Sequence, residues 1–503
     1  MAALRLDGAH GRHDTQAMDL IGLQSLLSAA RGAKVACVGD LMVDRFVYGE
    51  VSRISPEAPI PIMSRAHEIV MLGAAGNVAR NVASLGAEAR LVGVIGKDGA
   101  GHEALRLLAD EKNVEGFLVT DPDRPTTVKA RFVSGGQQLL RVDDEAKHAI
   151  TGEVEAQLIR AIENACAGAG AILISDYGKG VVTAAVIEAC HAAAKREGAR
   201  LIVDSKARSF DRYGAADLVK PNAAELAYAT DLPTGTDAEV EAALLKALEL
   251  SPCKAVLATR SAAGMSLGVR DGAARHFRRT APQVYDTSGA GDTVLAALGA
   301  ALASENDLEQ AIELALLAAS VVVQKAGTAT ASPDELIEAE VAEHQAPAEA
   351  KIATPERMAR EIARWREQGL KIGFTNGCFD ILHRGHVAYL TQARAWCDRL
   401  VVGLNSDRSV TALKGEGRPV NDLESRALVL GGLGAVDLVV PFDEDTPLVL
   451  IEAARPDVLI KGADYSREGV VGHEAVESWG GEVKLAPIVD GYSTTAAIAK
   501  LRA

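Results

Sequence analysis

Between residues 34 and 331, short β-branched runs alternate with stretches whose apolar positions recur every three or four residues. The runs lie at 35–38, 91–95, 172–174, 201–203 and 255–257, and the helical periods at 76–85, 102–111, 154–166, 184–196 and 308–323. Continuous apolar strands of this kind are covered on both faces. The alternation therefore predicts a mainly parallel sheet flanked by helices. One interval departs from it: segments 126–133 and 137–142 bracket Ser134-Gly135-Gly136, which predicts a hairpin closed by a glycine turn.

From His344 to Lys351 the text is Ala, Glu, Gln and Pro without a period, which predicts a linker. A second α/β series follows, with helices at 355–367, 386–396, 423–433 and 447–454 and strands at 370–374, 400–404, 436–440 and 458–460. The expected layout is an N-terminal extension over 1–30, an α/β domain over 31–340, a linker over 341–352 and a second, Rossmann-like α/β domain over 353–503. Trp365, Trp396 and Trp479 all follow the linker.

Composition narrows the class. With 48% hydrophobic and 24% charged residues the chain can build sizeable cores, so wholesale disorder is excluded. Lys and Arg total 53 against 68 Asp and Glu, a net charge of −15 with no basic run. Nucleic acid and anionic membranes are therefore not expected partners. Small anionic substrates remain open, since a few local cations and N–H groups suffice for them. None of the six cysteines forms a CxxC pair, which fits reduced thiols in a cytoplasmic protein. The first 30 residues carry Asp7, Asp14 and Asp19 and no apolar core, so no signal peptide is expected. The longest uncharged apolar stretches, 294–303 and 314–323, fall short of the roughly 20 residues that span a bilayer.

The strongest chemical signal in the first half is Asp286-Thr287-Ser288-Gly289-Ala290-Gly291-Asp292 before an apolar helical run. Gly289, Ala290 and Gly291 at a helix start let backbone N–H groups converge on an anion. A carboxylate beside bound phosphates is repelled by them, so Asp292 needs a task there, and general base to an attacking hydroxyl is one. A plain capping aspartate is the alternative. Lys220-Pro221-Asn222-Ala223-Ala224-Glu225 follows a strand and opens a helix. Glu225 there can hold Mg²⁺ through water, or Asn222 and Glu225 can form only a capping box. Asp40 and Asp44 follow the first strand, where carboxylates can accept sugar hydroxyls or simply be solvated. Asn77, in Gly73-Ala74-Ala75-Gly76-Asn77, offers a two-sided amide to a sugar, unless the small residues only pack a helix start.

In this order, these segments resemble the ribokinase-like carbohydrate kinases over roughly residues 34–331. The resemblance implies Asp292 as the base and Gly289, Ala290 and Gly291 as an anion hole. It places Asn222, Ala223, Ala224 and Glu225 at Mg-ATP, Asp40, Asp44 and Asn77 at the sugar, and the hairpin as a small β lid. Two positions depart from the pattern: Ala74 where a second glycine is usual, and Ser205 where proline is common.

In the second half, Thr375-Asn376-Gly377-Cys378-Phe379-Asp380 leads into His383-Arg384-Gly385-His386. Histidines three apart at a helix start share a face. No third ligand follows at zinc-like spacing. The imidazoles and helix N-terminus can instead grip triphosphate oxygens as pyrophosphate leaves, unless the histidines are structural. The segment closely resembles the HxGH nucleotidyltransferases over about 370–500. That resemblance implies nucleotide contacts from Thr375, Asn376, Gly377, Phe379, Gly385, Lys414, Arg418, Lys461, Ser493 and Thr494, with Glu424 and Arg426 in support.

A kinase followed by a nucleotidyltransferase, with Ser52-Arg53-Ile54-Ser55-Pro56-Glu57-Ala58-Pro59 after the first site, resembles the bifunctional heptose kinase/adenylyltransferases of bacterial lipopolysaccharide synthesis. The resemblance implies a cytoplasmic enzyme, a homodimer, using ATP and Mg²⁺. It would phosphorylate D-glycero-β-D-manno-heptose 7-phosphate at C1, then make ADP-heptose and pyrophosphate from heptose 1-phosphate. A sugar-bisphosphate phosphatase would be its pathway partner. A flavin-type fusion is disfavoured by the first half, and a non-catalytic relative by the presence of Asp292, His383 and His386. Asp121-Pro122-Asp123, the one segment with a phosphatase-like look, reads better as a turn.

Overall fold

A computed structural model describes residues 18 and 20–487, apart from 271, 280–283, 305, 345–347, 368 and 464. The chain divides into two compact units, the first ending at Glu340 and the second beginning at Val341.

The first unit is built on nine strands in the order Arg275–Phe277, Met265–Val269, Ala255–Thr259, Leu218–Lys220, Arg200–Ser205, Ala171–Asp176, Lys34–Gly39, Glu88–Gly96 and Val114–Asp121. All pairings are parallel except the two at the Arg275–Phe277 edge. Alternate residues of one strand feed two cores. Val35 and Cys37 pack with helices Ala290–Leu302 and Leu308–Val322, while Ala36 and Val38 pack with helices Gly152–Ala165 and Ala184–Glu197. That double burial is why these strands read as continuous apolar runs. Chain order reverses between Lys34–Gly39 and Ala171–Asp176, and ligands of open α/β sheets bind outside the strand ends at such a switch point.

One expectation needs correction. The segment assigned to an N-terminal extension contains the helix Leu20–Ala30, whose Leu23, Leu26, Leu27 and Ala30 are buried in the first core. Their spacing of three, one and three is one face of a helix. After the first strand come two long strands, Leu41–Ile54 and Pro61–Ala74, that no apolar alternation predicted. They join the expected hairpin, Thr127–Ser134 with Gln137–Asp144, in a four-stranded sheet. Gly135 and Gly136 turn that hairpin at φ 56° and 79°, as its tight turn requires. Ala74, at φ 49° and ψ −123°, occupies backbone space that only glycine enters without strain. The usual glycine there has a physical reason.

The second unit is a five-stranded parallel sheet ordered Leu438–Phe442, Arg399–Asn405, Ile372–Gly377, Val458–Gly462 and Glu482–Ala486. Its switch point lies between Ile372–Gly377 and Val458–Gly462. Part of the expected linker is packed. Lys351 ends the short helix Ala348–Lys351, is buried, and donates to the Leu433 carbonyl at 3.1 Å, while Ile352 bridges to Val439.

Candidate active sites

At the first switch point the helix Ala290–Leu302 starts from Gly289, whose φ of 77° is left-handed. A Cβ there would come within 2.7 Å of Asn77 Nδ2, so side chains are excluded by backbone and space alike. The first-turn N–H groups and helix dipole face the strand ends. Asp292 is 2% exposed. Its Oδ2 accepts from Asn77 Nδ2 at 2.9 Å and its Oδ1 from the Tyr177 hydroxyl at 2.7 Å. Burial pushes the Asp292 carboxyl up to about 6, against the pull of those two hydrogen bonds. Asp204 raises it further and Lys220 lowers it; these two form a buried ion pair at 3.1 Å beside Gly291. Burial likewise holds the Tyr177 hydroxyl well above its ordinary value, so it stays a donor.

The other expected residues divide. Asn77 is at the base, as just described. Asp44 is buried in the lid sheet and paired with Arg131. Asp40 is turned elsewhere: its carboxylate accepts the backbone N–H groups of Tyr177, Lys179 and Val181. It therefore holds the loop that carries Tyr177. Burial pushes its carboxyl up to about 6, with Asp176 adding to the effect and the three N–H groups opposing it. Asn222 and Glu225 form the capping box of helix Ala223–Thr230, whose first turn holds Ala224; Glu225 also pairs with Lys206. Among the described residues no group of three or more His, Cys, Asp or Glu is placed to hold a metal. Asp121 and Asp123 form the expected turn, with Asp123 N–H on Asp121 Oδ1 at 3.0 Å.

At the second switch point, strand Ile372–Gly377 ends in Asn376 and Gly377, and His383 precedes helix Arg384–Arg394 with Gly385 in its first turn. The His383 and His386 rings stack with centroids 3.9 Å apart, and Phe379 meets His386 edge-on at 5.3 Å. Phe379 sits at φ 43° over Gly377, where a Cβ would come 3.0 Å from its ring. Burial first, then the neighbouring His383, push His386 down to about 4, so it is neutral at pH 7. His386 Nδ1 and Asn376 Oδ1 are buried with no hydrogen-bond partner among the described residues. Lys461, from the strand across the switch, donates to the Asn376 carbonyl at 3.0 Å.

Three further expected nucleotide contacts have protein partners or surroundings of their own. Thr375 is fully buried, its hydroxyl 2.7 Å from that of Tyr389, which ties helix to strand. Arg418 is paired with Asp380, whose other oxygen accepts from Val420 and Asn421 N–H. Lys414 is exposed at the end of helix Asp407–Lys414. Ser493 and Thr494 lie outside the described residues.

Residue reading missed Tyr177 and the Asp204–Lys220 pair, whose only signal is position at strand ends. In the second unit Arg426 holds the motif loop, donating to the carbonyls of Cys378 at 2.7 Å and Asn421 at 3.0 Å and to Asp407 at 2.7 Å.

Residues 33–335 match the pfkB family of carbohydrate kinases, and residues 374–499 match the cytidylyltransferase-like family. The chain is 50% identical to Bifunctional protein HldE of Hyphomonas neptunium over 95% of its own length and 98% of that protein's. The HldE of Caulobacter vibrioides is also 50% identical, over 95% and 99%. Two structures of Escherichia coli phosphofructokinase-2 share the fold of the first unit. The potassium complex has a TM-score of 0.53 at 23% identity, and the complex with substrates and products 0.52 at 22%; each covers 62% of this chain and 99% of that one. The chain belongs to the HldE family of bifunctional proteins, in which a pfkB-type carbohydrate kinase and a cytidylyltransferase-like domain share one polypeptide.

Proposed function

We propose that the two switch points are the two active sites of ADP-heptose synthesis, with Asp292 serving the first and His383 and His386 the second. The chain is a bifunctional heptose 7-phosphate kinase and heptose 1-phosphate adenylyltransferase, and both reactions use ATP. The observation that carries the kinase assignment is Asp292, a buried carboxylate facing a helix N-terminus with its proton affinity raised towards neutrality. Such a base is ionised at pH 7 yet basic enough to take a hydroxyl proton in the transition state.

In the kinase, the C1 hydroxyl oxygen attacks the γ-phosphorus, its proton passes to Asp292, and the bond to the ADP oxygen breaks. The N–H groups around Gly289, Ala290 and Gly291 receive the developing charge. Asp44 and Asn77 contact the sugar, and Asp40 orders the Tyr177 loop. A magnesium ion would arrive on ATP, and Glu225, whose carboxylate caps its helix and pairs with Lys206, would meet it through water. When bound, that ion neutralises phosphate charge.

In the transferase, an oxygen of heptose 1-phosphate attacks the α-phosphorus of ATP and pyrophosphate leaves. The nucleophile is already ionised, so no base is required. Neutral His386 and its stacked neighbour His383 hydrogen-bond the phosphates, and Asn376, Gly377, Phe379, Gly385 and Lys461 shape the pocket. Arg418 acts through Asp380, by fixing the loop after the motif.

The first product carries phosphates at C1 and C7, whereas the second reaction needs only the one at C1. A sugar-bisphosphate phosphatase must therefore act between them. No helix among the described residues is long and apolar enough to cross a membrane. That fits work in the cytoplasm, where ATP is supplied. Exposed Ile54 and Leu140 on the lid strands, with exposed Ile60 in the connection before Pro61–Ala74, support a homodimer. The test is a substrate panel followed by phosphorus NMR. Heptose 7-phosphate should be phosphorylated at C1 far faster than fructose 6-phosphate or ribose; a preference for either of those would overturn the assignment.

A further inference from the structure

Lys129 lies on lid strand Thr127–Ser134, with Asp44 as its register partner on one side and Asp143 on the other. Its ammonium group stands 5.4 Å from the centre of the Tyr177 ring, whose hydroxyl donates to Asp292. It is thus one aromatic ring away from the base. The carboxylates around it are engaged elsewhere: Asp44 by Arg131, Asp143 by Arg141 at 2.8 Å, Glu145 by Lys179 at 2.5 Å and Glu225 by Lys206. Among the described residues Lys129 makes no ion pair. Burial first, then the like charge of Lys179, disfavour its protonated form; Asp44 and Asp143 offset this only in part, so its proton affinity stays below the ordinary lysine value. A half-buried cation with a like-charged neighbour and no ion-pair partner of its own is suited to an arriving anion. Arg131 cannot serve in its place, being paired with Asp44 and stacked over Phe46 at 5.0 Å.

We propose that Lys129 binds the phosphate at the far end of the sugar substrate and so sets the kinase's preference for a sugar phosphate over the free sugar. This rests on the kinase reading above. A lysine ammonium is a compact point charge that reads a phosphate monoester without demanding bidentate geometry. The same chemistry is offered by the γ-phosphate of ATP, so the experiment separates the two.

The kinase reaction is measured for the parent, Lys129→Met and Lys129→Arg with heptose 7-phosphate and with unphosphorylated heptose. The expected result is that Lys129→Met lowers the ratio of the two kcat/KM values by roughly 10- to 100-fold, mostly through KM for the phosphorylated sugar. Lys129→Arg should retain most of the ratio. The melting-temperature rise that heptose 7-phosphate causes in the parent without ATP should shrink in Lys129→Met. An unchanged ratio, with both substrates losing rate together, would assign Lys129 to the ATP phosphoryl group and overturn the proposal. An unchanged ratio with no loss would overturn it as well. A parent that phosphorylates neither sugar would overturn the kinase reading itself, before any variant is compared.

Discussion

The Tyr177 hydroxyl donates a 2.7 Å hydrogen bond to Asp292 Oδ1, joining two residues 115 positions apart. The bond favours the ionised carboxylate and partly opposes the upward push of burial. Tyr177→Phe should therefore raise the Asp292 carboxyl above about 6. The acid limb of the kinase kcat/KM profile should move to higher pH, with more activity lost at pH 6.5 than at pH 8. An acid limb that stays in place would remove Tyr177 from the proton chemistry.

Asp292→Asn should lower kinase turnover by about 10²–10⁴-fold and leave adenylyl transfer at the parent rate. For the parent, kinase activity should fall as pH drops through about 6, since the base must be ionised to work. Kinase turnover within a few-fold of the parent would mean that another group takes the proton.

His383→Ala or His386→Ala should do the converse, costing adenylyl transfer on the order of 10²–10³-fold. Because His386 is held down to about 4, it gains charge only in acid well below neutrality. Its titration should therefore leave no inflection near 6.5 in kcat/KM for ATP. An inflection there that disappears in His386→Ala would show that it acts as a cation.

Ala74→Gly should relieve the strained backbone at φ 49° and raise stability by about 1 kcal/mol, after the extra flexibility glycine gives the unfolded chain. Arg426→Ala should do the opposite in the second unit, costing about 2–4 kcal/mol by leaving the Cys378 and Asn421 carbonyls without their donor. Since Trp365, Trp396 and Trp479 are the only tryptophans and all follow residue 341, denaturation followed by tryptophan emission reports that unit. A parent-like midpoint for Arg426→Ala would place the motif loop's support elsewhere.

What the sequence revealed, and what it concealed, follows from how local each feature is. The parallel core of the nine-stranded sheet was legible because strands such as 35–38 are covered on both faces and read as apolar runs. Strands Leu41–Ile54 and Pro61–Ala74 were not, because Asp44, Arg45, Glu50 and Arg65 interrupt the alternation of a lid sheet with polar surroundings. The helix Leu20–Ala30 carried its period in plain view, but it precedes the alternating series that marks the rest of the unit. The helix-start positions of Asp292 and of the histidine pair were legible because their glycines are contiguous with them. The partners of Asp40 were hidden for the opposite reason: a carboxylate at a strand end is chemically ambiguous until the fold brings three N–H groups to it.

In the proposed scheme one chain carries two sites whose reactions are linked only through a released intermediate. Phosphorus NMR of the full chain given heptose 7-phosphate and excess ATP tests it most directly. The signal should stop at heptose 1,7-bisphosphate, and adding a sugar-bisphosphate phosphatase should bring up the pyrophosphate-linked resonances of ADP-heptose. ADP-heptose formed without the phosphatase, or no phosphate appearing at C1, would overturn that scheme.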